Sequence, residues 1–191
     1  MKRNSFLQRM LAGISLLAIP STILARQQGA VRNPKAFKVD SGKDRFGKSI
    51  SLFEGDTFSC KVSTKDTDGD IYMFESVRVK NGGPSFHYHY NQDEWWYVLQ
   101  GEFVIKVGEE VHQLKVGDSV FGPRGVPHSF AKVSEGEAKL LMFFQPAGKM
   151  EEFFKAVSEG KMTKMSEAEA NDFRKAHGFE RVGPPIGYLK Q

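Results

Sequence analysis

The chain has 191 residues, with 27 Lys and Arg against 23 Asp and Glu, for a formal charge of +4. Hydrophobic residues make up 40% and charged residues 26%, the balance of an ordinary globular domain, which excludes a polytopic membrane protein, a collagen-like chain and a disordered polyelectrolyte. A single cysteine, Cys60, excludes an intramolecular disulfide.

Residues 1–25 carry Lys2, Arg3 and Arg9, then an uncharged run from Met10 to Ala25 dominated by Leu and Ile and broken by Pro20. A basic start, a short apolar run and small residues at the exit predict a secretory signal peptide, with cleavage expected after Ala25. The apolar run is too short for a spanning helix, which needs about 20 residues. Arg3-Asn4-Ser5-Phe6-Leu7 is similar to a twin-arginine signal in which Asn replaces the second Arg. The expected location is therefore the periplasm or the exterior, without stable membrane insertion. Removing Lys2, Arg3 and Arg9 leaves 24 basic against 23 acidic residues, so the basic character lies mostly in this segment.

Residues 26–48 are polar and weakly periodic and read as a linker and N-terminal arm. From about Ser49, short runs rich in Val, Ile, Phe, Tyr and Trp alternate with turn signals. The expected strands are Thr57–Ser63, Ile71–Val79, Phe86–Tyr90, Glu94–Leu99, Phe103–Val107, Glu110–Leu114, Ser119–Phe121, Pro127–Val133 and Ala138–Phe144. Val107-Gly108-Glu109 is a hairpin turn candidate. Asp66, Asp68 and Asp70 lack the later Glu of a calcium loop and read as a turn. So many short strands, with no helix between them, predict an antiparallel all-β sandwich or barrel over residues 49–148.

Beyond Pro146 the period changes. Met150, Phe153, Phe154 and Val157 follow helical spacing. Ser166 and Glu169 form a capping box opening a helix over Glu167–His177, which Gly178 stops. Residues 149–191 therefore read as a helical tail with an extended end at Val182–Ile186.

The histidines carry the chemical signal. His87 and His89 are two apart, and on a strand such residues share a face. Their imidazoles then project into one space, at a separation a metal ion can bridge. Glu94 opens the next strand and can supply a carboxylate oxygen. His128 follows Pro123 and Pro127, which restrict the backbone. Three nitrogens and one oxygen suit a divalent first-row metal such as Fe, Mn, Ni, Co, Cu or Zn. His112 and His177 read as surface residues, and Cys60 as a small buried strand residue.

The punctuation around these residues is distinctive. The first segment runs His87-x-His89, four residues, Glu94, six residues, Gly101. The second runs Gly117, five residues, Pro123-x-Gly125, two residues, His128. These two segments resemble the paired motifs of the cupin superfamily, and the chain resembles a single-domain cupin of the quercetin-dioxygenase-like type. The resemblance implies a double-stranded β-helix, or jelly roll. It places His87, His89, Glu94 and His128 on metal-ligand positions and Gly101, Gly117, Pro123 and Gly125 on turn positions. The second motif of the family usually closes with Asn where this chain has Lys132. A homodimer is the common cupin assembly, and residues 26–48 are candidates for its arm.

Strand parity places Trp96 and Val98 with Glu94 inside, and Phe130 and Lys132 with His128. Trp96 and Phe130 are read as core residues first and substrate contacts second. Lys132 is read either as an anion-holding group near the metal or as a solvated rim lysine. The leading expectation is a metal-dependent dioxygenase-like enzyme acting on a small oxygenated substrate, aromatic ones included, with Glu94 as general base. The alternatives are a non-redox sugar isomerase or lyase and a non-catalytic periplasmic binding protein. No basic stripe with interleaved aromatics points to nucleic acid.

Overall fold

The computed structural model describes Arg32, residues 35–52 and residues 56–187. The segment read as a signal peptide lies outside the described residues. The remainder forms one compact unit starting at Arg32. Among the described residues, no helix is long and apolar enough to cross a membrane.

Among the described residues, eleven strands and two α-helices follow one another, with one 3₁₀ turn at Thr64–Asp66. The strands are β1 (Ile50–Leu52), β2 (Asp56–Val62), β3 (Tyr72–Arg78), β4 (Ser85–His89), β5 (Asp93–Gln100) and β6 (Phe103–Val107). After these come β7 (Glu110–Leu114), β8 (Ser119–Gly122), β9 (His128–Lys132) and β10 (Ala138–Gln145). The chain ends with α1 (Met150–Ser158), α2 (Glu167–Ala176) and β11 (Phe179–Pro185). Nine expected strands and both expected helices are present, with ends shifted by a residue or two at most positions. β1 and β11 are additional. β1 is too short to show alternation. β11 contains Gly183, Pro184 and Pro185, which mask a strand in sequence.

Two antiparallel sheets face each other, ordered β1-β2-β3-β10-β5-β8 and β11-β4-β9-β6-β7. The architecture is the expected all-β jelly roll with a short C-terminal helical extension. Alternation sends one side chain in two to the core. On β10, Ala138, Leu140, Met142 and Phe144 are buried, and on β5 Glu94, Trp96 and Val98 are. Tyr97 and Leu99 face outward, as parity predicts.

Aromatic rings dominate one end of the core. Phe74 stacks on Phe58 with ring centroids 4.4 Å apart, and Phe154 of α1 meets both edge-on at 5.5 and 5.0 Å. Such pairs contribute about 0.5–1.5 kcal/mol each beyond their buried area. α1 is therefore held by the barrel's own core. α2 opens with the predicted capping box: Glu169 N–H donates to Ser166 Oγ at 3.3 Å, and Ser166 N–H donates to Glu169 Oε2 at 2.8 Å. Gly178, at φ +94°, turns the chain from α2 into β11. β11 then pairs with β4, placing the C-terminal segment beside the histidine strand.

Part of the polar arm lies against its own barrel. Asp44 Oδ2 accepts from Cys60 N–H at 2.6 Å, and Arg45 N–H donates to Cys60 O at 2.7 Å. Asp66 belongs to a turn, as expected, where its carboxylate accepts from Ser63 N–H at 3.0 Å.

Candidate metal centre

Four side chains converge from three strands. Alternation along β4 puts His87 and His89 on its inner face. Glu94 enters at a buried position of β5. His128 opens β9 and pairs with His87 across the β4–β9 ladder. The ring centroids lie 5.1 Å apart for His87 and His89, 4.8 Å for His87 and His128, and 5.4 Å for His89 and His128. One ligand atom from each of the four residues lies within 4.8 Å of every other. All four candidate ligands named from sequence thus come together.

Burial and hydrogen bonding favour a cation at this point. His89 and His128 have no exposed surface and Glu94 has 3%, while His87 is half-buried and opens on a cavity. Glu94 Oε2 sits 3.2 Å from His89 Nε2 and 3.0 Å from His128 Nε2. None of these three buried atoms has an aligned hydrogen-bond partner. His87 Nδ1 lies 2.7 Å from Ser85 O and His128 Nδ1 lies 3.0 Å from Val126 O. A carbonyl accepts only, so each Nδ1 carries a proton, and the neutral form of each ring would offer the Nε2 lone pair.

The protonation states match that donor set. Burial, then the neighbouring His128 and His89 rings, hold His87 down at about 3. Burial likewise lowers His89. Burial alone would raise Glu94, but the short contacts to His128 and His89 outweigh it and hold the carboxyl at about 2. Neutral imidazoles and an ionised carboxylate are what a divalent cation requires. The residues present therefore fit such an ion.

Two supports escaped sequence reading. Asp93 begins β5 and grips Arg124 of the second motif: its Oδ1 accepts from Arg124 N–H at 2.9 Å and Nε–H at 3.0 Å, and its Oδ2 from Nη2 at 2.6 Å. Gly125 N–H also donates to His89 O at 2.8 Å. The loop leading to His128 is thus tied to the strands bearing Glu94 and His89. Sequence hints only that both residues flank motif positions.

Other expectations need correction. Lys132 is neither a solvated rim residue nor an anion-holding group at the cluster. It is 1% exposed, and its Nζ donates to Asn81 Oδ1 at 2.7 Å and Ser134 O at 2.5 Å. His177 is buried, packed on Phe173 with ring centroids 4.2 Å apart and meeting Phe153 of α1 at 5.6 Å. Trp96 is a core residue, its ring 5.2 Å from that of His128. His112 is partly exposed, beside Glu110, and Cys60 is buried as expected.

His87, His89 and Glu94 form one end of a cavity of about 280 Å³. Phe58, Phe130, Phe144, Phe154, Met142 and Met150 supply much of its wall. Asp56 and Arg78 contribute an ion pair at 2.8 Å. Burial pushes the Asp56 carboxyl up to about 6 against the pull of Arg78.

This is an antiparallel jelly-roll barrel with a candidate metal centre at one end of an apolar cavity. The sequence pattern of the cupin domain matches residues 69–144, which include both motifs. Among curated proteins, the chain is similar to Protein SchB of Streptomyces halstedii, at 32% identity over 85 residues, covering 44% of this chain and 62% of SchB. It is also 40% identical over 55 residues to an uncharacterised protein of Streptomyces coelicolor, covering 29% of this chain and 51% of the other. The chain thus spans about half to six-tenths of these relatives. Among solved structures, KdgF from Halomonas sp. superposes with a TM-score of 0.50 at 19% identity, covering 59% of this chain and 94% of KdgF. That likeness concerns the fold alone.

Proposed function

We propose that this protein is a metal-dependent enzyme of the dioxygenase-like kind, holding one divalent transition metal through His87, His89, His128 and Glu94. The observation that carries the reading is the convergence of three Nε2-type donors and one carboxylate at the floor of an aromatic-lined cavity. Its substrate is a small oxygenated molecule with an apolar body. One side of the site opens on the cavity, which leaves room for a substrate beside the metal position. The metal, when bound, supplies Lewis acidity and redox capacity to an oxygen donor of the substrate.

The protein's own groups supply the rest. The Phe and Met side chains of the wall exclude water and hold the substrate body. The carbonyls of Ser85 and Val126 fix the orientation of His87 and His128. Glu94, ionised and buried, is the acceptor for a substrate hydroxyl proton once its carboxylate swings away from the metal position. Export through residues 1–25 and pairing as a homodimer complete the proposal.

Oxygen consumption tests it. Metal-loaded protein with a panel of flavonols and catechols is expected to take up oxygen, and Glu94→Gln to lower the rate by about 10²-fold or more. No uptake across the panel, with metal content verified, contradicts the dioxygenase-like reading. Turnover unchanged without oxygen assigns the centre to non-redox chemistry.

A further inference from the structure

The outer part of the cavity is built by the chain beyond β10. Met150, Phe153, Phe154 and Met162 add apolar surface, and Arg174 and Arg181 add charge. The matched cupin segment ends at residue 144, so this wall lies outside it.

The register of β11 against β4 sets the position of the charge. Phe179 stands opposite His89, and Arg181 opposite His87. Directly opposed residues of antiparallel strands project to the same face, with Cβ atoms about 4.5–5.5 Å apart. Arg181 is therefore carried beside His87, the histidine of the cluster that is not fully buried. Arg174 reaches the same region from α2.

Both arginines share a single carboxylate. Glu167 Oε1 lies 3.1 Å from Arg181 Nη1 and 3.4 Å from Arg174 Nη1. Arg174 Nη1 also donates to Asn171 Oδ1 at 2.7 Å. Two guanidinium groups against one carboxylate leave an excess of positive charge at the mouth. The Glu167 side chain is 61% exposed, so water screens these pairs and a ligand can compete for them. Arg78, by contrast, faces Asp56 across the wall, and that pair is neutral overall. A divalent ion held with the single charge of Glu94 would add to the positive field.

We propose that Arg181, assisted by Arg174, is the anion-reading group of this cavity, and that the ligand is an apolar or aromatic carboxylate. Its body lies along the Phe and Met wall, and its carboxylate takes the place of Glu167 on Arg181. A planar fork of donors matches a planar carboxylate in two parallel bonds. What this says about the ligand's other end rests on the metal reading above. The arginines do not depend on it.

The test compares matched probes by calorimetry on the full-length protein. Benzoate, cinnamate and 4-hydroxycinnamate are each set against their primary amides. The wild type is expected to prefer a carboxylate over its amide by about tenfold. Arg181→Gln brings the ratio near one, Arg181→Lys restores only part of it, and Glu167→Gln tightens carboxylate binding. A merely structural role for these side chains would not produce that opposite response. Equal affinity for acid and amide, binding of neither across the panel, or a ratio unmoved by Arg181→Gln overturns the proposal. Metal content is measured on the same samples. A preserved ratio in protein that takes up no metal contradicts the metal reading alone. Metal-loaded protein without a ratio contradicts this inference alone.

Discussion

His87 shows how a residue can be prepared for a cation. An unfolded imidazole titrates near 6.5, whereas His87 in the folded chain takes its proton only near 3. Between those values the unfolded state binds a proton that the folded state refuses. Stability is therefore full above about pH 6.5 and is lost progressively as pH falls toward 3. Glu94, depressed from 4.5 to about 2, adds a loss of the same sign in the lower part of that window. Metal-free wild type is expected to lose thermal midpoint relative to His87→Gln as pH falls from 6.5 to 4.5, while Asp56, raised to about 6, acts in the opposite direction on both proteins alike. Parallel profiles for the two proteins, read by circular dichroism, would exclude His87 as the cause. The pairing of His87 with His89 was legible because a period of two is a property of strands. Arg124 with Asp93 was not, because 31 residues separate them and only the folded ladder brings them together. The burial of His177 has a similar cause in part: beside Phe173 of its own helix it meets Phe153 of α1, which no local pattern pairs with it.

At the scale of the element, local signals and tertiary pairing divided the information. β6 and β7 have the bounds their sequence predicts, since a two-residue turn and alternation specify a hairpin locally. α2 begins where its capping box says. The pairing of β11 beside β4 was not legible, because no short-range pattern states which strand edge an extended tail will join. β8 illustrates how an element serves the site from behind. Gly122 faces Glu94 across the β5–β8 ladder, and a Cβ added there would meet the Trp96 ring at 2.7 Å. Trp96 in turn packs on His128. Gly122→Ala is expected to cost about 1–3 kcal/mol by overpacking and to weaken metal binding through the displaced His128 ring. A chemical-denaturation midpoint and a metal titration check the two effects. Wild-type values for both would show that the Trp96 ring does not transmit the strain.

For the molecule as a whole, the jelly-roll barrel followed from evenly spaced strands. The shape of the cavity did not, because its outer wall comes from the helices and β11, far along the chain from the motifs. The formal charge of +4 is another whole-chain property with a local origin, since three of the basic residues sit in the proposed export segment. The charge that matters to a ligand is the local excess at Arg174 and Arg181. All of this turns on whether the four convergent side chains hold an ion. Elemental analysis of the purified full chain, beside His128→Ala, asks that directly. The account predicts about one equivalent of a divalent first-row metal per chain in the wild type and its loss in the variant, with the variant still folded by circular dichroism. A wild type that takes up no stoichiometric metal, or a His128→Ala protein that retains it in full, would contradict the account.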